Sequence, residues 1–386
     1  MFAQSSFRQH NCTTYIPTLA HATVVCPDVS NAHQRASSST KEQTDLLTKS
    51  AQETAPTSAS QAMCLQAVRG STNATGISNK AFNIICHSWR KGTQKQYGSV
   101  LQKWSHYCKQ RNINYYSPTV SEVLDFLVSR FEEGLGYSAL NTARSALSTI
   151  ICHGTLTIGA HPLIIRFMKG VYNLRPPQAR YSAIWDPTVV LKYLKTLAPA
   201  KFLSLKDLTL KLVVLMALVS VQRAQSLHLL DINNMKKHRS YVTFSLSSPL
   251  KQSRPGVSVP VLEFRAYAPD RRLCVVTYIT EYLKRTKSYR NDSKSQFFLS
   301  YSRTREPVSK PTISRWIKTM LHRAGIPINF KAHSTRAASS TSAWQSAIPI
   351  EDILQKAGWS SGSTFAKYYK KPIRKRDVST ALLDQA

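Results

Sequence analysis

The chain has 386 residues, with 52 lysines and arginines against 20 aspartates and glutamates, so its formal net charge is +32. Hydrophobic residues make up 42% of it, too many for a purely disordered basic tail and enough to bury a core. A charge this large repels itself unless a polyanion screens it, so nucleic acid is the expected partner. The composition excludes a collagen, a disulfide scaffold and an acidic solvating protein.

The longest strongly apolar segment runs from Leu212 to Val221. A membrane-spanning helix needs about 20 apolar residues, so this segment is predicted to be a buried core helix and no membrane contact is expected. No secretory signal is predicted at the N-terminus. The seven cysteines are scattered without a Cys-x-x-Cys pair, which favours reduced thiols in an intracellular protein and argues against a zinc site.

The N-terminal part divides into two regions. Residues 1–80 are rich in Ser, Thr, Gln, Asn and Ala without a sustained apolar period, which predicts a disordered or weakly structured tail. Residues 81–176 are predicted to form a small helical bundle. Apolar residues at helical spacing support this bundle, namely Tyr97, Leu101, Trp104 and Cys108, then Val123, Leu124, Leu127, Val128 and Phe131.

Two consecutive prolines mark the boundary of a second domain, because they cannot continue a helix. Residues 177–186 are predicted to be a linker, residues 187–376 the second domain and residues 377–386 a tail. Strands are predicted near 240–247 and 257–264. Helices are predicted near 188–197, 205–221, 271–285, 311–324, 334–346 and 350–357. The expected fold class is therefore mainly α with a small antiparallel sheet, in which a helical domain precedes an α+β domain.

Three basic side chains in the second domain stand where they could reach an anion. Arg223 comes at the end of the apolar helix, so it must extend to solvent or project into a polar cleft. Lys251 and Arg254 lie in Lys-Gln-Ser-Arg-Pro-Gly, between the two predicted strands, and the Pro-Gly pair marks a turn. Each feature is common by itself in a basic protein.

Two further motifs follow along the chain. His333 and Arg336 are three residues apart at the start of a helix of small residues, so both side chains can address one anion together with the helix N-terminus. Gly358 is expected to end helix 350–357. The next residue, Trp359, offers a single N–H donor.

Tyr368 and Tyr369 complete an ordered set of arginine, hairpin lysine, His-x-x-Arg, Gly-Trp and tyrosine. This set resembles the catalytic residues of the tyrosine recombinase (phage integrase) family. The resemblance covers about residues 81–376, and the N-terminal helical domain is similar to that family's core-binding (SAM-like) domain. More closely, Lys-Gln-Ser-Arg-Pro-Gly, Gly-Trp-Ser-Ser-Gly-Ser-Thr-Phe and the Tyr-Tyr pair resemble recombinases of DIRS, Ngaro and crypton mobile elements of eukaryotes.

The resemblance implies a site-specific recombinase or integrase that cuts and rejoins DNA through a 3′-phosphotyrosyl intermediate without metal, ATP or other cofactor. It implies that Arg223 and Arg336 clamp the phosphate oxygens. It further implies that His333 bonds the phosphate and helps to deprotonate tyrosine, that Trp359 donates its N–H, and that Lys251 protonates the departing 5′ oxygen.

The sequence leaves alternatives open. The commonest family spacing favours Tyr368 as nucleophile, whereas the mobile-element pattern Thr-Phe-x-x-aromatic-Tyr favours Tyr369, which is the preferred assignment. Many relatives carry an acidic residue three positions after the first arginine, and this chain has Ser226 there. The alternative function is a domesticated or decayed recombinase that binds DNA without cleaving it. An RNA-binding helical protein would leave the ordered set unexplained.

Double-stranded DNA is the expected partner, held largely through its phosphates. The resemblance also implies a homotetramer on paired DNA sites and, for a eukaryotic mobile element, a nuclear location. Candidate DNA-binding residues outside the catalytic set are Lys91, Lys95, Arg144, Arg254 and Arg315.

Overall fold

A computed structural model describes residues 55–72, 76–248, 250, 253, 256, 261–291 and 294–373, with side chains of residues 61–71 in the first range. These residues fall into two compact units, one ending at Gln178 and the other beginning at Ala179. Each unit has its own apolar core. No helix in this part of the chain is long and apolar enough to cross a membrane.

The first unit is a helical bundle around a core that includes Leu101 and Trp104. Among the described residues its helices are α1 (Ala55–Thr72), α2 (Asn79–Cys86), α3 (Lys91–Arg111), α4 (Val120–Glu132), α5 (Tyr137–Leu147) and α6 (Pro162–Leu174). A short antiparallel hairpin of β1 (Cys152–His153) and β2 (Leu156–Thr157) precedes α6. Thr119 and Glu122 form a reciprocal capping box that begins α4, as their spacing indicates.

Helix α1 shows that the expectation of a weakly structured segment up to residue 80 is wrong for residues 55–72. Cys64, Ala67 and Val68 are buried in the first unit's core, and α1 packs along α3. The apolar residues of α1 show no sustained helical period, so the order of this helix depends on tertiary packing. Residues 1–54 of the predicted tail lie outside the described residues.

The second unit surrounds one long buried helix. The described residues of this unit contain α7 (Pro187–Thr196), α8 (Leu205–Ser220), α9 (Ala224–His228), α10 (Val275–Thr286), α11 (Lys310–Arg323), α12 (Ser334–Gln345), α13 (Ile350–Ala357) and α14 (Gly362–Tyr368). Helix α8 carries the apolar segment and packs against α10, α11 and α12. Residues Leu212 to Leu218 of α8 are apolar on every face of the helix, and neighbouring elements bury all of them.

A three-stranded antiparallel sheet lies beside this helical core in the order β3 (Met235–Lys237), β4 (Tyr241–Ser245) and β5 (Val261–Arg265). Val242 pairs with Phe264 and Phe244 with Leu262, and all four side chains are buried. Alternate residues therefore cover the core, as the period of a strand requires. Mainly helical units with small antiparallel sheets confirm the predicted fold class.

Lys211 is a fully buried lysine in α8. Its Nζ donates to the carbonyl oxygens of Leu194 at 2.7 Å and Leu197 at 2.6 Å, and to the Tyr278 hydroxyl at 2.5 Å. It thereby supplies donors at the C-terminal end of α7, where carbonyls lack partners within the helix. Burial lowers the pKa of Lys211 to about 7, because desolvation disfavours the ammonium.

We expect the stability of the wild type to rise with pH between about 7 and 10, relative to Lys211→Met. In this window the unfolded chain binds more protons at Lys211 than the folded chain does. Below pH 7 the folded protein bears the whole free-energy cost of burying the Lys211 ammonium. This cost falls as the pH rises and the folded protein releases the proton. Urea unfolding at several pH values measures the difference in slope, which is bounded by about 1.4 kcal/mol per pH unit. Parallel pH profiles for the two proteins would contradict the expectation.

Candidate active site

The chain reverses sharply at the end of α8 and brings Arg223 to the start of α9. Val221 makes this turn with φ 55 and ψ 22, a left-handed conformation that a β-branched residue rarely adopts. Its carbonyl accepts a hydrogen bond from Arg336 Nη1 at 3.1 Å. The strained turn is thus held by the second arginine of the predicted set.

Arg336 lies in the first turn of α12 and is fully buried. Its guanidinium also donates to the Ala357 carbonyl, and its Cζ lies 4.4 Å from the centre of the Trp359 ring. Its Nε is buried with no partner among the described residues. Burial, reinforced by the Arg223 charge, lowers the pKa of Arg336 to about 9, so the group is still a cation at pH 7. Two neighbouring guanidiniums with an unused donor suit an anion.

Tyr369 follows directly after α14, and its phenol oxygen lies between two predicted catalytic groups. The oxygen is 3.4 Å from Arg223 Nη2 and 3.2 Å from His333 Nε2. Its ring packs against Trp359 with centroids 4.3 Å apart. Tyr369 is 5% exposed, whereas Tyr368 is 54% exposed. The structure therefore brings Tyr369, and not Tyr368, against the arginine and the histidine.

Trp359 follows the end of α13, and its ring packs against Tyr369 and the Arg336 guanidinium. Gly358 ends the helix with φ 65, the left-handed conformation that glycine adopts without strain and that the Gly-Trp motif predicts. The indole Nε1 is buried with no hydrogen-bond partner among the described residues. It is therefore a donor that a ligand could use.

The structure thus gathers most of the predicted catalytic set, namely Arg223, His333, Arg336, Trp359 and Tyr369. Lys251 and Arg254 lie outside the described residues. Of the predicted DNA-binding residues, Lys91 and Lys95 are exposed on α3, Arg315 is exposed on α11, and Arg144 is half-buried on α5. Their contacts with DNA stay predictions. Among the described residues, no group of three or more His, Cys, Asp or Glu side chains could hold a metal ion.

Gln222 is a supporting residue that the sequence analysis missed. Its Nε2 donates to the Lys356 carbonyl at 2.7 Å, and its Oε1 accepts from the Ser226 hydroxyl at 2.9 Å. Both Gln222 and Ser226 are buried. The serine at the position discussed above is therefore half of a neutral pair that ties the Arg223 segment to the end of α13. In the sequence, Gln222 is only a polar residue that follows an apolar segment. That position does not indicate which groups it binds.

Gln222→Leu is expected to lower the free energy of unfolding by about 1–3 kcal/mol, because it leaves the Lys356 carbonyl and the buried Ser226 hydroxyl without their partner. Chemical denaturation measures the change. Gln225→Leu replaces the same residue type at a half-buried position on α9, and its effect should stay within about 0.5 kcal/mol. Equal effects of the two substitutions would argue against the role assigned to Gln222.

Most of the second unit is similar to a known protein family. Residues 190–374 match the model of the Phage integrase family. No curated protein has a sequence that matches this one. The matched residues include each predicted catalytic position gathered above.

Solved structures share the fold at low sequence identity. A XerH site-specific recombinase bound to a palindromic difH substrate, in a post-cleavage complex, is 13% identical with a TM-score of 0.53, covering 81% of this chain and 92% of that one. The Tn1549 transposon integrase in complex with transposon right end DNA is 11% identical with a TM-score of 0.51, covering 84% and 98%. The chain thus shares the tyrosine recombinase fold of these structures, and residues 190–374 within it match the Phage integrase family.

Proposed function

We propose that this chain is a site-specific DNA recombinase or integrase of a mobile element, with Tyr369 as its nucleophile. One observation carries the proposal. The phenol oxygen of Tyr369 lies within hydrogen-bonding distance of both Arg223 and His333, while the buried Arg336 lies against the same tyrosine ring with its Cζ 5.4 Å from the ring centre. Nucleophile, base and anion-binding cations therefore share one small region, as nucleophilic catalysis at a phosphate requires.

In the proposed reaction the Tyr369 oxygen attacks the scissile phosphorus. A bond forms between that oxygen and phosphorus as the bond from phosphorus to the 5′ oxygen breaks. The phenol proton passes to His333, and the departing 5′ oxygen receives a proton, for which Lys251 is the proposed donor. Attack by another 5′ hydroxyl reverses the step and releases tyrosine, so phosphodiester bonds are conserved and no ATP is needed.

The remaining site groups are proposed to stabilise the charge that spreads over the non-bridging oxygens. Arg223 and Arg336 supply guanidinium donors, and Trp359 supplies its indole N–H. Support comes from the buried Nε of Arg336 and the buried Nε1 of Trp359, which have no partner among the described residues. A bound phosphate would satisfy both, and it would offset the repulsion between the two arginines.

Double-stranded DNA is the proposed substrate and a homotetramer on paired sites the proposed assembly. The net charge of +32 and the descriptions of the similar recombinases, which are bound to DNA, support DNA binding. Because released counterions favour binding, affinity should fall steeply with salt, by about 0.9 in logarithmic slope for each neutralised phosphate. A DIRS, Ngaro or crypton origin, with the nuclear location that it entails, belongs to the same proposal and rests on the sequence motifs.

The function is tested by covalent capture. Purified protein is incubated in EDTA with a pool of nicked duplexes of randomised sequence, and DNA that stays attached after denaturation is recovered and sequenced. We expect an adduct to one strand and enrichment of a common sequence. Duplexes enriched by native binding alone, with no denaturation-resistant adduct on any of them, would support the alternative of a recombinase that binds DNA without cleaving it.

A further inference from the structure

The backbone around Tyr369 is fastened to α12 by one side chain, that of Thr341. Its hydroxyl donates to the Tyr369 carbonyl at 2.9 Å and accepts from the backbone N–H of Lys371 at 3.3 Å. Thr341 is 1% exposed, so this bridge is shielded from water. A buried hydroxyl with both of its functions used is costly to remove.

The bridge acts where α14 itself gives no support. The helix ends at Tyr368, and Tyr369 leaves it with φ −120 and ψ −31 while its N–H still bonds the Phe365 carbonyl at 2.9 Å. A carbonyl at the end of a helix has no donor within the helix. The Thr341 hydroxyl supplies that donor, and it thereby fixes the peptide plane from which the tyrosine side chain projects.

Helix α12 is a common frame for the reacting groups. Thr341 and Arg336 lie on it, and His333 is its N-cap residue. One turn beyond Thr341, the Trp344 ring contacts Lys370, whose Nζ is 3.8 Å from the ring centre. The segment after α14 thus runs along the helix that carries two of the proposed phosphate-binding groups, and the hydrogen bonds of Thr341 set its register there.

We propose that Thr341 is a positioning residue for the nucleophile, an inference that rests on the proposed function. The Thr341 hydroxyl holds the Tyr369 backbone so that the phenol oxygen meets the phosphate at the place defined by Arg336 and His333. Because Thr341 is buried, its proposed role involves no direct contact with DNA or with the reacting atoms. Its loss should therefore slow the attack on phosphorus and leave DNA affinity unchanged, because a displacement of about 1 Å at a reacting atom can reduce a rate about 100-fold.

The test uses Thr341→Val, which keeps the shape but loses the hydroxyl, and Thr341→Ser, which keeps the hydroxyl. Rates of adduct formation are measured with the full chain at saturating concentrations of a captured nicked duplex. We expect Thr341→Val to react about 10–100-fold more slowly with unchanged affinity, and Thr341→Ser to react within about threefold of the wild type. Thr341→Ala, which cannot overpack the site, is measured alongside in case valine prevents folding.

Thr209→Val is the matched control, because Thr209 is also fully buried and its hydroxyl bonds the Leu205 carbonyl within α8 at 2.6 Å. It should lose stability without a comparable loss of rate. A duplex with a 5′-bridging phosphorothiolate adds a second readout, because its sulfur leaves without a proton. This duplex should restore a Lys251→Ala variant but not Thr341→Val.

The outcomes separate the two proposals. Wild-type rates for Thr341→Val and Thr341→Ala, or full rescue of their defect by the phosphorothiolate, would overturn the role of Thr341 while leaving the proposed function intact. No adduct from the wild type on any duplex would count against the proposed function itself, and the positioning role would fall with it.

Discussion

Tyr369→Phe is expected to reduce formation of the covalent DNA adduct by about 10³-fold or more, because no other group replaces a lost nucleophile. Phenylalanine keeps the ring that packs on Trp359 at 4.3 Å and removes only the oxygen between Arg223 and His333. DNA affinity and thermal stability should therefore change little. The measurement is single-turnover capture on a nicked duplex, with denaturing gels to count the adduct.

Tyr368→Phe is the matched control for this experiment. Tyr368 is the neighbouring residue of the same type and is 54% exposed, so removal of its hydroxyl should leave the adduct rate within about twofold of the wild type. If Tyr368→Phe abolished the adduct and Tyr369→Phe retained it, the nucleophile would move by one residue. The packed phenol of Tyr369 would then have a purely structural role.

Arg223→Lys is expected to lower the cleavage rate by about 10²–10³-fold while the free energy of unfolding changes little. A lysine keeps the charge but loses the planar fork that can donate two parallel hydrogen bonds to phosphate oxygens. Arg336→Lys is a less informative choice, because the Arg336 guanidinium also holds the carbonyls of Val221 and Ala357. Arg223 is half-buried at the start of α9, and urea unfolding of the variant, measured beside its cleavage rate, separates an effect on catalysis from an effect on folding.

Arg272→Lys provides the matched control for Arg223→Lys. Arg272 makes a two-pronged contact with Asp270, through Nε at 2.9 Å and Nη2 at 3.0 Å, and it is more than half exposed. The same substitution there should leave cleavage unchanged. Equal rates for Arg223→Lys and the wild type would show that Arg223 contributes charge alone and would contradict the proposed clamp.

Most of the proposed catalytic positions could be predicted from the sequence, because each of them adjoins the end of a recognisable helix. Arg223 follows an apolar helix, His333 and Arg336 begin a helix of small residues, and Trp359 follows a glycine that ends α13. Such boundaries are local signals. Local patterns favoured Tyr369 but left Tyr368 open as the nucleophile, because the choice depends on where α14 ends and on how it packs against Trp359.

The supporting residues could not be predicted, because they act through single hydrogen bonds to distant backbone atoms. Gln222 reaches a carbonyl more than a hundred residues away in sequence, and Thr341 bonds the carbonyl of Tyr369. No periodicity or motif announces such a partner. Helix α1 could not be predicted for a similar reason, because its side chains become buried only through packing against α3.

The left-handed turn at Val221 implies that thermal stability and the positioning of the two site arginines make opposite demands on this residue. Valine at φ 55 stores conformational energy that glycine would release. Glycine would also make this turn more flexible. The turn positions Arg223, and its carbonyl accepts a hydrogen bond from the Arg336 guanidinium. Selection for thermal stability alone would favour glycine at this position, and it would thereby loosen the alignment of the two arginines on which the proposed strand cleavage depends.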